Sequence, residues 1–132
     1  MEDDDGDAKA VSRALARSPV RTVLHRVSDG IEALKLMRAR GSALADTYIV
    51  LADLNMPRMN GIEFLAELRR DPILRRTVVF MVSTSDSEED RNAAYNFSVA
   101  GFSPKHKLGK NLEKLIKVLD DYARIVDLPR MP

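Results

Sequence analysis

Two continuous apolar runs, each of strand length and each ending in a polar residue, constrain the fold of this chain most. TYIVLAD (47–53) ends in Asp53, and TVVFMVS (77–83) ends in Ser83. Runs of this kind are typical of strands that are buried on both faces of a parallel sheet. A segment with apolar residues at helical spacing lies between them, so the pattern predicts βαβ units with right-handed crossovers.

The same alternation of strand and helix patterns extends along the chain. Helices are predicted over 5–17, 29–40, 60–70, 85–97 and 110–124, and strands over 22–27, 47–53, 77–83 and 100–103. Asp29 and a Ser-x-x-Glu box that begins at Ser85 are predicted to cap two of the helices. The predicted buried helix faces contain Ile31, Leu34 and Met37, then Ile62, Leu65 and Ala66, and finally Leu112, Leu115, Ile116, Leu119 and Tyr122.

Length and composition limit the class of protein. The 132 residues suffice for one domain, predicted to span 1–132. A formal net charge of +1 gives no electrostatic basis for binding nucleic acid or an anionic membrane. The absence of cysteine excludes disulfides and thiolate chemistry, and no apolar run is long enough to span a membrane. We therefore expect a soluble, cytoplasmic domain without a nucleic-acid or membrane partner.

Polar residues are predicted to meet at one edge of the sheet. Ligands of parallel sheets bind outside the carboxyl ends of the strands, and Asp53, Ser83 and Lys105 all lie at or just past such ends. Carboxylates held together repel one another, and a hard cation such as Mg²⁺ relieves that repulsion, so the acidic Glu2 and Asp3 are candidates to join them. A metal, an ammonium group and a hydroxyl can together hold a phosphoryl group. The set predicts a site of aspartate phosphorylation.

The segment ADLNMPRMNGIEFL (52–65) resembles the phosphoacceptor segment of response-regulator receiver domains, the CheY-like family, with Asp53 at the acceptor position. Ser83 and Lys105 follow at the family's spacing, and Phe102 matches its switch aromatic. The resemblance covers essentially the whole chain.

The start of the chain, EDDDGDAKAV, is similar to the acidic pair and the opening of the first helix in this family. The resemblance therefore implies that Asp3, Asp53 and the Asn55 carbonyl hold Mg²⁺, with Glu2 acting through water.

The resemblance also implies a fold and a function. The fold is a three-layer, flavodoxin-like (βα)5 parallel sheet with strand order 2-1-3-4-5. The function is that of a signalling protein, not an enzyme, which accepts a phosphoryl group from a histidine kinase on Asp53. Lys105 and Ser83 then contact the phosphoryl oxygens, and Phe102 fills the space that Ser83 leaves.

Further details resemble single-domain regulators associated with bacterial phytochrome-type histidine kinases. These details are the acidic start, the STSDSEED segment (83–90) and the long last helix with its tail. They imply a bacteriophytochrome-like kinase as partner, and a homodimer formed through the last helix and the tail over 125–132.

The chain departs from the family at two places. His106 follows Lys105 where the family has proline, so we expect Lys105 to be held less firmly. Only Met1 precedes Glu2, so the first, central strand is apparently missing from this chain. Three explanations fit this: the given start lies inside a longer natural chain, a partner chain supplies the strand, or the sheet is rearranged. A chain that truly lacks the strand should have low stability and impaired phosphorylation.

Two other classes of protein share features with this chain. Haloacid dehalogenase-type phosphatases also form an aspartyl phosphate, but they need a second acid two residues after the nucleophile, where this chain has Asn55. The order of the residues therefore disfavours a phosphatase. A pseudo-receiver that binds partners without phosphorylation remains an alternative.

Overall fold

The computed structural model describes residue 9 and residues 29–39, 47–85, 87–108 and 113–130. The predicted strand over 22–27, the position of the first strand and the acids Glu2 and Asp3 lie outside these residues. The predicted start of the last helix, at residues 110–112, also lies outside them. The helix predicted over 5–17 lies outside them as well, apart from Lys9.

Strands and helices alternate through the described chain, as predicted. The elements are α1 (Gly30–Arg38), β1 (Ile49–Asp53), α2 (Gly61–Arg70), β2 (Val78–Ser83), α3 (Glu88–Asn96), β3 (Gly101–Pro104), a 3-10 helix (Lys105–Lys107) and α4 (Glu113–Ile125). None of the described helices is both long and apolar enough to cross a membrane.

The three described strands form a parallel sheet in the order β1-β2-β3. This order is the one predicted for the third, fourth and fifth strands. Asp53 pairs with Val82, and Ser83 pairs with Pro104, so the carboxyl ends of the strands lie side by side. The sheet therefore brings the predicted polar residues to one edge.

The two long apolar strands differ in burial. β2 is buried from Val79 to Ser83, whereas residues 49–51 of β1 remain partly exposed. The prediction that β1 is buried on both faces is therefore wrong for its first three residues. Among the described strands, β2 is hydrogen-bonded to β1 on one side and to β3 on the other.

Helix α2 supplies the centre of the main core. Phe64, Leu65 and Leu68 have no solvent exposure, while Ile62 and Ala66 are only partly buried. The predicted face of Ile62, Leu65 and Ala66 is therefore confirmed for Leu65, and Ile62 packs against the core, but the most buried side of the helix also includes Phe64 and Leu68. The larger Phe64 and Leu68 share a face at i and i+4, and burying them removes more apolar surface from water.

Helix α4 covers the other side of the sheet. Its Leu115 and Ile116 are buried with Val82 and Leu108 in a second apolar cluster. Tyr122 packs edge-on against Phe80 of β2, with the ring centroids 5.2 Å apart. The described elements thus place helices on both faces of a parallel sheet, which is the predicted layered architecture.

Caps fix where the helices begin. Asp29 caps α1 as predicted, because its carboxylate accepts a hydrogen bond from the Glu32 backbone N–H. Helix α3 begins at Glu88 and is capped by Ser87, so the prediction of a start at Ser85 is wrong. Ser85 instead belongs to the turn after β2, where its hydroxyl accepts a hydrogen bond from the Ser87 N–H.

Candidate functional site

An ion pair lies at the carboxyl edge of the sheet. Lys105 Nζ donates to Asp53 Oδ2 at 2.7 Å, and the Asp53 and Lys105 side chains are 4% and 17% exposed. A buried carboxylate needs such a partner, because removing it from water is costly. The fold therefore places a buried carboxylate and an ammonium group in direct contact.

The residue after Lys105 does not displace the lysine. Lys105 to Lys107 form a 3-10 helix, and none of the described peptide bonds is cis. His106 is exposed, while the Lys105 side chain turns inward to Asp53. The close contact between Lys105 and the Asp53 carboxylate therefore argues against the expectation that Lys105 is held less firmly.

The second Asp53 oxygen is held by the loop over residues 54–60, which we call the β1–α2 loop. Asp53 Oδ1 accepts a hydrogen bond from the Asn55 N–H at 2.9 Å. The Asn55 side chain donates to Thr84 Oγ1 at 3.2 Å, which links this loop to the turn after β2. Both carboxylate oxygens are thus oriented by neighbours on either side of the site.

Ser83 is fully buried at the end of β2. Its Oγ accepts a hydrogen bond from the Ser85 N–H at 2.9 Å. This bond uses a lone pair and leaves the hydroxyl hydrogen to be donated elsewhere. Ser83 lies one residue beyond the pairing partner of Asp53, so the hydroxyl belongs to the strand next to the carboxylate.

Gly61 allows the β1–α2 loop to close tightly beside Asp53. A Cβ at this position would lie 2.8 Å from the Asp53 carbonyl oxygen and 2.9 Å from Leu54 Cα. The Gly61 N–H also donates to the Leu54 carbonyl at 2.9 Å. Because the nearest atoms are backbone, a larger residue here would have to shift the strand end that carries Asp53.

Phe102 lies on β3 opposite Met81 and is partly buried against the main core. A surface cavity of about 300 Å³ adjoins it, with Tyr95 and Val118 also in the lining. Phe102 is therefore one of the residues that line a cavity on the face formed by α3, β3 and α4.

The described donors suit a hard divalent cation. The Asp53 carboxylate and the Asn55 main-chain carbonyl are oxygen ligands of the kind that Mg²⁺ prefers. In the part of the chain that the structure describes, no group of three His, Cys, Asp or Glu residues could hold a metal ion. Glu2 and Asp3, which lie outside that part, remain predicted ligands.

The sequence reasoning missed two features of the site. Thr84 bonds to Asn55, and its position just after a buried strand end was a usable signal. Arg58 pairs with Asp29, which lies 29 residues away, and nothing in either local sequence indicates that pair.

A family model for the response regulator receiver domain matches residues 1–117. Response regulator Rcp1 of Synechocystis sp. is 30% identical to this chain. The aligned region covers 98% of this chain and 90% of Rcp1. These matches confirm the predicted family.

Solved structures confirm the predicted fold class. The Mn(2+)-bound form of Rcp1 has a TM-score of 0.78 and 29% identity, covering 98% of this chain and 95% of that chain. The phosphorylated cyanobacterial phytochrome response regulator RcpA has a TM-score of 0.81 and 31% identity, covering 98% of this chain and 94% of that chain.

Proposed function

Because this chain belongs to the response regulator receiver domain family, we propose that it accepts a phosphoryl group on Asp53 in a two-component system. The observation that carries the proposal is the 2.7 Å contact between Asp53 and Lys105 at the carboxyl edge of the sheet. The phosphorylated state of RcpA supports the same chemistry in a relative.

The proposed reaction needs positioning and charge compensation more than covalent assistance. An oxygen of the Asp53 carboxylate attacks phosphorus, the phosphorus–nitrogen bond of a phosphohistidine breaks, and an acyl phosphate forms. Lys105, already beside the carboxylate, pairs with the incoming phosphoryl oxygens, and Ser83 donates its hydroxyl hydrogen to one of them. Neither residue has to cross the site, because Ser83 ends β2 and Lys105 directly follows β3 at the same edge of the sheet.

A divalent cation completes the proposed site. Mg²⁺ held by Asp53, the Asn55 carbonyl, Asp3 and, through water, Glu2 would supply positive charge against the phosphoryl oxygens. The oxygen donors among the described residues suit this ion, and the Mn(2+)-bound form of Rcp1 supports a metal in a relative.

We propose that Ser83 and Phe102 convert phosphorylation into a change of surface. Ser83 moves toward the phosphoryl group, and Phe102 turns into the space left behind. The cavity that Phe102 helps to line supports this, because open space next to the residue leaves room for its side chain to change position. Output then passes through protein contacts on this face as a shift between two populations.

The proposed donor is a histidine kinase of the phytochrome type, since RcpA is a phytochrome response regulator. We expect a phytochrome-type kinase carrying radioactive phosphate on histidine to transfer its label to this chain within minutes. Transfer to the Asp53→Asn variant should be absent. Label that stays on the kinase in the presence of the wild-type chain and Mg²⁺ would contradict this choice of donor.

One incubation separates the proposed function from the alternatives. With acetyl phosphate and Mg²⁺, the receiver is expected to gain about one acid-stable phosphoryl group per chain and to release it slowly. Sustained turnover of p-nitrophenyl phosphate would indicate a phosphatase. The absence of both would indicate a pseudo-receiver. We expect labelling of the chain without sustained turnover of p-nitrophenyl phosphate.

We also propose that the last helix and the tail over 125–132 form a homodimer. Ile125 is 82% exposed and is followed by the exposed Val126, which leaves apolar surface at the end of α4. Ile125→Glu is expected to weaken the dimer at least about tenfold, because burying an unpaired carboxylate is costly. Sedimentation equilibrium measures this. Lys35→Gln, at an exposed residue of α1 outside the proposed interface, serves as control. An unchanged dimer in the Ile125 variant contradicts the proposal.

A further inference from the structure

A buried carboxylate links helix α1 to the β1–α2 loop. Asp29 is 1% exposed, and its Oδ1 accepts the hydrogen bond from the Glu32 N–H that caps α1. Its Oδ2 accepts a hydrogen bond from Arg58 Nε at 2.6 Å and also contacts Arg58 Nη2. A single carboxylate thus serves a helix cap with one oxygen and a guanidinium from the loop with the other.

Asp29 and Arg58 differ in burial: Asp29 is buried and Arg58 is mostly exposed. Burial disfavours the charged form of Asp29, but the hydrogen bond from Glu32 and the contact with Arg58 outweigh it and lower the pKa of Asp29. Arg58 is mostly exposed, so its guanidinium reaches inward from the surface to a carboxylate that water does not reach. Asp29 therefore remains ionised, and the loop supplies its compensating charge.

The loop adopts an unfavourable conformation at the same residue. Arg58 has a φ of 61°, in the left-handed region that residues with a Cβ seldom occupy. The next residue is also tied to α1, because the Gly30 N–H donates to the Met59 carbonyl at 3.4 Å. Contacts with the first turn of α1 thus hold the loop in a shape that its own backbone does not favour.

The loop connects this contact directly to the site. Its base is closed by the hydrogen bond from Gly61 to Leu54, and Asn55 contacts Asp53 Oδ1 near that base. Only residues 56 and 57 separate Asn55 from Arg58. A displacement at Arg58 is therefore passed along a short, closed loop to the amide that orients the acceptor carboxylate.

We propose that Asp29 and Arg58 are a positioning pair that fixes the β1–α2 loop, and with it the Asn55 main chain, for metal binding and phosphorylation at Asp53. This inference rests on the proposed function. Neither residue touches the acceptor carboxylate in the contacts described, so both act through Asn55.

Two substitutions remove the pair from opposite sides. Arg58→Gln removes the guanidinium, and Asp29→Asn removes the charge while keeping a side chain that caps helices well. Arg38→Gln is the matched control, because Arg38 pairs with Asp71 at the other end of α1, at 3.1 Å. Arg58→Lys keeps the charge and is expected to recover much of the wild-type behaviour.

The first measurement is the affinity for Mg²⁺, obtained by titration calorimetry. Arg58→Gln and Asp29→Asn are each expected to weaken Mg²⁺ binding about tenfold, as changes in the outer shell of a metal site do. The double variant should weaken it no further than either single variant, because all three lack the same interaction. Arg38→Gln should bind as the wild type does.

Amide hydrogen exchange without metal gives the second measurement. The Asn55 amide is expected to exchange about tenfold faster in Arg58→Gln than in Arg38→Gln, since its loop opens more often. At saturating Mg²⁺, labelling by acetyl phosphate should return to within about twofold of the wild-type rate, because the metal restores the loop. A merely structural loss of folded protein would not give this split between affinity and rate.

The outcomes distinguish this inference from the function on which it rests. A wild-type chain that binds Mg²⁺ and is labelled, with Arg58 and Asp29 variants equal to it in affinity and exchange, overturns the positioning pair alone. Losses that multiply to about 100-fold in the double variant also overturn it, because they indicate two independent effects. A wild-type chain that neither binds Mg²⁺ nor is labelled overturns both proposals.

Discussion

A Lys105→Met variant is expected to be labelled by acetyl phosphate at least about 100-fold more slowly than the wild type. The ammonium group lies 2.7 Å from Asp53 Oδ2, in a site where little water competes for either charge. Removing it takes away the cation that pairs with the phosphoryl oxygens as negative charge accumulates near the carboxylate. It also leaves Asp53 buried without this partner, at a cost of about 2–3 kcal/mol in unfolding free energy.

Two variants make this result specific. Lys107→Met is the matched control, because Lys107 is exposed in the same 3-10 helix, and it should be labelled at the wild-type rate. Lys105→Arg keeps the charge and should retain more activity than Lys105→Met. Initial rates of labelling measured by intact mass, together with urea unfolding, test the prediction. Wild-type labelling of Lys105→Met would show that the ion pair has no part in the chemistry.

An Arg69→Ala variant is expected to lose about 3–4 kcal/mol of unfolding free energy. Arg69 donates to the carbonyls of Phe97 at 2.7 Å, Arg75 at 2.6 Å, Thr77 at 2.8 Å and Ser98 at 3.1 Å. Burial lowers the pKa of its guanidinium, and these carbonyls compensate the buried charge. The side chain joins α2 to the start of β2 and to the end of α3, so alanine would disconnect three segments at once.

The neighbouring residue provides the control for Arg69. Arg70 is exposed and pairs with Glu67 on the surface of the same helix, so Arg70→Ala should cost less than about 1 kcal/mol. Chemical denaturation of both variants measures the difference. Equal midpoints for Arg69→Ala and Arg70→Ala would show that the four carbonyl contacts add little to stability.

The positions of Asp53, Ser83 and Lys105 could be predicted because sheet topology converts their order into proximity. Each residue ends or follows a strand-length run, and parallel strands bring their carboxyl ends to one edge. Asp29 could be predicted as a cap because capping depends on residues three positions apart. These features have local signals or follow from the order of the elements.

Other features depend on partners that the sequence does not mark. Arg69 binds backbone carbonyls up to 29 residues away, and carbonyls are common to all residues. The pairing of Arg58 with Asp29 likewise requires the packed fold. The start of α3 was misjudged because the turn after β2 takes up Ser85, and the burial of the first three residues of β1 was overestimated. Glu2, Asp3 and the first strand remain predictions.

The central claim is that Asp53 accepts the phosphoryl group, and the intact mass of the protein tests it most directly. After incubation with acetyl phosphate and Mg²⁺, the wild type is expected to gain about 80 Da, the mass of one phosphoryl group, while Asp53→Asn gains nothing. An equal gain in the Asp53→Asn variant, or no gain in a folded wild-type protein that binds Mg²⁺, would contradict the account.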